Sequence, residues 1–233
     1  MIKYLQLPFS FDVSALQRDT LQIGEQYWKL HFQVKHYSGE WSAIPLRSID
    51  GKTENGFISP EENDCYEDTS LLRSSAYLRE VLQHFECPLL SVRLLKLAAG
   101  AMVHEHKDRD LCYEEGLVRF HIPVFTNPEV DFFLQNEKMI LEEGSCWYMN
   151  FNLPHSLHNK SNQDRIHLVV DARVNEWVQQ LFDQTPLSQK KEIPDLPKHS
   201  RKEQLLIIEQ LRQLNTDVSL QLAAEMEKNL PAE

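Results

Sequence analysis

Residues 104–108 read His104-Glu105-His106-Lys107-Asp108. In an extended strand, side chains two apart project from the same face. His106 and Asp108 are therefore expected side by side. An imidazole beside a carboxylate, joined by one histidine from elsewhere, makes the facial set of three ligands that holds non-heme Fe(II) and leaves coordination positions open. The chain offers that histidine at His155, within Asn152-Leu153-Pro154-His155-Ser156. Ten residues later comes Arg165, in Arg165-Ile166-His167-Leu168-Val169-Val170-Asp171. A guanidinium there can grip a carboxylate in a two-pronged hydrogen bond. Six of the ten histidines fall within residues 104–167, which concentrates imidazoles around this pattern.

Around that stretch the chain is a succession of short β-prone segments: 89–98, 102–107, 117–125, 130–134, 138–141, 146–151, 155–159 and 165–173. Asn127-Pro128, Glu143-Gly144 and Asn162-Gln163-Asp164 mark turns between them. Many short strands at this spacing predict a sandwich or barrel. The expected fold is mainly β with helical flanks. Its core, residues 89–175, is a double-stranded β-helix, the jelly-roll or cupin-like arrangement.

Residues 1–88 are read as N-terminal helices and strands flanking that core. A helix capped by Asp12 or Ser14 falls within the first 40 residues, and a strand with a proline at residues 41–48. Residues 49–69 are polar and read as a loop lying over a site, followed by a helix from about Ser70 to Phe85. Residues 176–233 are read as a C-terminal helical extension. There Leu205, Ile208, Leu211, Leu214, Val218, Leu222 and Met226 keep a three-to-four spacing that suits one or two helices, packed on the barrel or on a second subunit.

The formal charge of −11 disfavours a nucleic-acid partner, because phosphates are repelled. No apolar run approaches the ~20 residues of a membrane span. The first eight residues carry no apolar leader, so a cytoplasmic protein is expected. Cys65, Cys87, Cys112 and Cys146 are scattered and form no CxxC pair, which predicts reduced and mostly buried thiols.

Two ligand sets are compatible with the spacing. The preferred one is His106, Asp108 and His155. The other reads His104-Glu105-His106 as an HxH pair completed by Asp110 and His155, as in cupins that use HxH followed by an acid. In the preferred set His104 becomes a neighbouring or solvated group. Trp147 and Tyr148 are read as core residues, Asn159 as a turn stabiliser, and His167 as a core histidine or a group bordering the site.

The run from Ser91 to Arg173 resembles the aspartyl/asparaginyl β-hydroxylase family of Fe(II)/2-oxoglutarate dioxygenases. Within it, the resemblance is to the HxD branch that includes free-L-proline cis-4-hydroxylases. The matching pieces are Val92-Arg93-Leu94-Leu95-Lys96-Leu97, Gly100 to Asp108, and Val118-Arg119-Phe120-His121-Ile122-Pro123. Gly144-Ser145-Cys146-Trp147-Tyr148, Pro154-His155-Ser156, Asn159-Lys160-Ser161 and Arg165 to Asp171 complete them. The resemblance implies Fe(II), 2-oxoglutarate and O2 as cofactors and co-substrates, with succinate and CO2 as co-products. It implies that Arg165 partners the distal carboxylate of 2-oxoglutarate. It further implies that Arg119 and His121 reach the co-substrate's other end from a neighbouring strand. Asp108 is retained, which implies a full triad and argues against a halogenase.

The expected substrate is a free amino acid or an Asp, Asn or Pro residue of a peptide. No nucleic acid or membrane partner is expected, and the C-terminal helices are a candidate homodimer contact. Two rivals stand beside this reading. One is a non-catalytic cupin-type binding module. The other is a metal-dependent cupin enzyme that does not use 2-oxoglutarate.

Overall fold

The structure is a computed structural model of the 233-residue chain. It describes residues 1–31, 33–54, 65–194, 200–228 and 230. Ile2–Ile193 form one compact unit, and Pro194–Glu233 with Met1 form another.

The first unit opens with β1 (Ile2–Ser10) and α1 (Val13–Gln22), then β2 (Lys29–Leu30), β3 (Tyr37–Ser38), β4 (Trp41–Ile49) and β5 (Tyr66–Asp68). Two short helices follow, α2 (Ser70–Ser74) and α3 (Ala76–Leu82). Next come β6 (Leu89–Leu97), β7 (Met102–His106), β8 (Leu117–Phe125), β9 (Val130–Leu134) and β10 (Glu137–Met139). The unit ends with β11 (Ser145–Met149), β12 (His155–Asn159), β13 (Arg165–Arg173), α4 (Glu176–Gln184) and β14 (Lys190–Glu192). The strands make two antiparallel sheets. The larger runs β14-β1-β11-β8-β13-β6-β4-β2 with β5 beside β4, and the smaller runs β10-β9-β12-β7-β3. This is the double-sheet jelly roll that the strand spacing predicts.

The larger sheet is apolar on one face and mixes apolar with charged and imidazole side chains on the other, because successive side chains of a strand alternate. Val92 and Leu94 of β6, Val118, Phe120, Ile122 and Val124 of β8, and Ile166, Leu168, Val170 and Ala172 of β13 share one core cluster. Leu16 of α1, Leu72 of α2, Leu78 and Val81 of α3, and Val178 and Phe182 of α4 belong to the same cluster. Helices therefore cover this face. The intervening positions carry Arg93, Arg119, His121, Arg165, His167 and Asp171, all buried. They belong to the face turned toward the smaller sheet.

The first helix matches the expected cap: the Asp12 side chain accepts from Ala15 N at 3.1 Å. The strand before it was not anticipated. β1 alternates Leu5 and Leu7 inward and is held on both sides, by β11 (Leu5↔Tyr148) and by β14 (Leu5↔Lys190). Those partners lie more than 140 residues away, and local spacing does not announce them. The helix expected over 70–85 is broken in two at Ser75, whose Oγ turns back to donate to Leu71 O at 2.9 Å. Asp19 of α1 then caps α3 by accepting from Tyr77 N at 2.7 Å and Leu78 N at 3.3 Å. Of the loop expected over 49–69, β5 forms its far end, and residues 55–64 lie outside the described residues.

In the second unit, α5 (Arg201–Leu214) and α6 (Asp217–Lys228) are two helices, as the periodicity allows. A Ser200/Glu203 capping box starts α5. Of the expected apolar stripe, Ile208 is buried while Leu205, Leu214, Val218 and Leu222 are exposed. The cysteines are free, with Cys112 and Cys146 buried and Cys65 exposed. No helix among the described residues is long and apolar enough to cross a membrane.

Candidate metal centre

His106, Asp108 and His155 converge. One ligand atom from each lies within 4.8 Å of the others, and this is the His/Cys/Asp/Glu cluster of that kind among the described residues. Sheet register does much of the work. β12 pairs with β7 so that His155 stands opposite His106, and their ring centroids are 4.2 Å apart. β7 ends at His106, so Asp108 lies just past the strand. Its backbone N–H donates to Phe151 O at 2.9 Å, which holds the segment in place.

Both histidines are oriented by carbonyls two residues before them. His106 Nδ1 lies 2.8 Å from His104 O, and His155 Nδ1 lies 3.0 Å from Leu153 O. A carbonyl oxygen only accepts, so each Nδ1 carries a hydrogen and Nε2 is the nitrogen each ring can offer to a metal. Metal-binding imidazoles are oriented in this way. Asp108 is also pre-set. Arg119 Nη1 donates to Asp108 Oδ2 at 2.7 Å, and Asp108 Oδ1 lies 3.7 Å from His106 Nε2. Two imidazole lone pairs and one carboxylate oxygen fit a divalent cation such as Fe(II).

The charges agree. Burial works to raise the Asp108 carboxyl pKa, but Arg119, His155 and His106 overcome it and hold it below its ordinary value. Burial drops His155 to about 4, against partial opposition from Asp108, so it is neutral near pH 7. Arg119 continues inward to a second carboxylate. Its Nε donates to Asp171 Oδ1 at 2.6 Å, and Arg93 Nη2 donates to Asp171 Oδ2 at 2.8 Å. Asp108, Arg119, Asp171 and Arg93 thus form one chain of alternating charge.

Arg165 is different. It is 2% exposed, and among the described residues no carboxylate pairs with it. Burial lowers its pKa to about 9. Its Nη2 lies 2.8 Å from His167 Nδ1, and that nitrogen lies 3.3 Å from His121 Nδ1. Arg119, His121 and Arg165 share a cavity of about 40 Å³ with the triad, walled by Phe132, Phe151 and Leu157. Arg165 and Phe132 also border a second cavity of about 560 Å³, together with His167.

Each residue expected at the site is therefore in one place. The alternative ligand set is not assembled: His104 and Asp110 are exposed, and Asp110 sits at φ 61° in a turn. Asn159 is the expected turn stabiliser, donating through Nδ2 to Leu97 O, Ala98 O and Gln163 O. Tyr148 is fully buried in the helix-covered core. Four residues given no role from sequence border the site. Arg93 and Asp171 were legible as charged residues within two β-prone, mainly apolar segments. His31 and His36 were not. His31 stacks on Trp41 at 3.6 Å, and the His36 ring lies 5.0 Å from that of His106. Burial, with Arg93, takes His31 down to about 3.

The sequence model of the aspartyl/asparaginyl beta-hydroxylase family matches residues 12–174. The chain belongs to this family. It is similar to the L-proline cis-4-hydroxylase of Rhizobium meliloti (strain 1021), with 27% identity over 135 residues. That match covers 57% of this chain, and the chain spans about half the length of the relative, 48%. Among solved structures it is similar in fold to the non-heme alpha ketoglutarate dependent carbocyclase SnoK from nogalamycin biosynthesis. The TM-score is 0.50 at 10% identity, covering 82% of this chain and 90% of that one. A prolyl-4-hydroxylase from Pseudomonas putida aligns with a TM-score of 0.45 at 12% identity, over 75% and 94% of the two chains.

Proposed function

We propose that this chain is an Fe(II)/2-oxoglutarate-dependent hydroxylase. Its substrate is a free amino acid or an Asp, Asn or Pro residue of a peptide, and its co-products are succinate and CO2. The observation that carries the reading is the pairing of a His-Asp-His cluster with a buried guanidinium that, among the described residues, no carboxylate neutralises. Arg165 is the anchor for the far carboxylate of the 2-oxoacid.

His106 and His155 would hold the metal through Nε2, and Asp108 would hold it through the oxygen that Arg119 leaves free. When bound, Fe(II) with 2-oxoglutarate and O2 supplies the oxidising chemistry, which the protein only has to aim. Phe132, Phe151, Leu157 and Trp41 line the cavity with apolar surface. Arg119 fixes the plane of Asp108, so the carboxylate need not reorganise when a cation arrives. With the buried histidines neutral, Arg93, Arg119 and Arg165 outnumber Asp108 and Asp171 by one positive charge. A dication and a dianionic oxoacid cancel each other, so binding both adds no net charge to the buried site.

The test is incubation with Fe(II), ascorbate and 2-oxoglutarate, with succinate as the readout. Succinate forms slowly without a prime substrate. Free amino acids and short Asp-, Asn- or Pro-containing peptides are then screened for faster release and a product gain of about 16 Da, one oxygen atom. Asp108→Ala abolishes both. Metal binding with no succinate under any condition would sink the oxygenase and leave the binding module.

A further inference from the structure

We propose that His167 is a positioning residue that keeps Arg165 available to a carboxylate. As a neutral imidazole it accepts the guanidinium's hydrogen bond without taking its charge. This rests on the reading of Arg165 as the 2-oxoacid anchor and deepens it by assigning the tautomers of two buried histidines.

Three buried guanidiniums lie on the inward face of the larger sheet. Arg93 and Arg119 share Asp171, and Arg119 also reaches Asp108. Arg165 has an imidazole where the others have carboxylates, His167 Nδ1 at 2.8 Å. A buried cation is costly unless paired. A carboxylate at position 167 would therefore favour folding, but it would neutralise the charge a ligand needs. An imidazole lone pair orients the guanidinium and leaves its charge in place.

The tautomers follow from the donors. A guanidinium only donates, so His167 Nδ1 carries the lone pair. Burial, with Arg165 beside it, holds the His167 pKa well below its ordinary value, so the ring's hydrogen is on Nε2. The same Nδ1 lies 3.3 Å from His121 Nδ1. It cannot donate there, so His121 carries its hydrogen on Nδ1 and keeps a bare Nε2. His167 Nε2, His121 Nε2 and Arg165 Nε are all buried without a partner among the described residues. Two of these, Arg165 Nε–H and His167 Nε2–H, are donors on adjacent inward positions of β13. His121, which lines the metal cavity, shows a lone pair.

Nitrogen-15 imidazole spectra of the full chain without metal read the tautomers directly. His167 is expected with a pyridine-type Nδ1 and a pyrrole-type Nε2, and His121 with the reverse. Calorimetry of 2-oxoglutarate binding to Zn(II)-loaded protein, which is redox-inert, then compares His167→Asn with His167→Asp. The amide offers an acceptor with no charge, and its Kd should stay within about tenfold of wild type. The carboxylate pairs with Arg165, and its Kd should rise by roughly a hundredfold or more, the scale of a desolvated charge pair. Zn(II) affinity should hold in both variants, and the melting temperature of His167→Asp should hold or rise. Equal oxoacid affinity in the two variants, or a hydrogen on His167 Nδ1, would overturn the proposal. If the wild type binds no 2-oxoglutarate, the hydroxylase reading fails instead, and the spectra still decide the tautomers.

Discussion

Strand β13 presents two surfaces made from alternate residues of one segment. Ile166, Leu168, Val170 and Ala172 pack among helices in the main core cluster. Arg165, His167 and Asp171 are as deeply buried but are polar. The first surface stabilises the fold by removing apolar area from water. The second carries unsatisfied groups. Arg93 Nε, His121 Nε2, Arg165 Nε and His167 Nε2 are four of the seven buried side-chain atoms without partners among the described residues. Each such atom costs folding free energy. One face of the sheet thus holds the molecule together, while the other tolerates a standing cost that a bound cation and anion would relieve.

The sharpest way to break that comparison is to make one deletion on each face. Asp171→Ala strands Arg93 and Arg119 together in the interior and should cost about 3–5 kcal/mol of stability. It also releases Arg119, so metal affinity should fall by roughly 10–100-fold. Leu168→Ala, one turn of the pleat inside the helix-covered core, should cost about 2–5 kcal/mol and leave the metal affinity of the folded protein as it was. Denaturant melts and metal titrations read both. Unchanged metal affinity in Asp171→Ala would show that the charge chain does not hold Asp108.

Acid is the next lever, because the inward side keeps neutral histidines. The ordinary histidine pKa is 6.5, and His155 is held at about 4 and His31 at about 3. His121 and His167 are also held well below 6.5. The unfolded chain therefore takes up protons at these sites before the folded chain does. Stability is full above pH 6.5 and is lost progressively as pH falls toward about 4. Asp108, whose pKa is lowered from 3.8, adds to the loss only below that value. Thermal melts across this window should show the decline, and a flat profile would mean the rings are protonated in the fold.

The smallest effect on stability is expected from Arg165→Met. Removing a buried cation with no counter-charge should leave the melting temperature level or slightly raised, although 2-oxoglutarate binding should be lost. A large drop in stability would place Arg165 with the structural face.

Much of this was present in the chain itself. The strand order from Leu89 onward, the spacing of His106 and Asp108, and the histidine at 155 are local patterns. Alternation along a strand suggested the His106/Asp108 pair, although β7 ends at His106 and the Phe151 carbonyl is what holds Asp108 beside it. Arg165 was read from its position after His155, while placing Arg119 and His121 at the site followed from the family resemblance. What tertiary structure alone decided were the partners. β1 is a strand because β11 and β14 flank it. His155 meets His106 because of sheet register. Arg119 spends hydrogen bonds on Asp108 and Asp171, and His31 and His36 reach the site from a segment with no periodic signal. Pattern in the chain is set by neighbours two to four residues away. Pairing across a sheet depends on residues tens to more than a hundred positions apart, and their meeting is fixed only when the whole core packs.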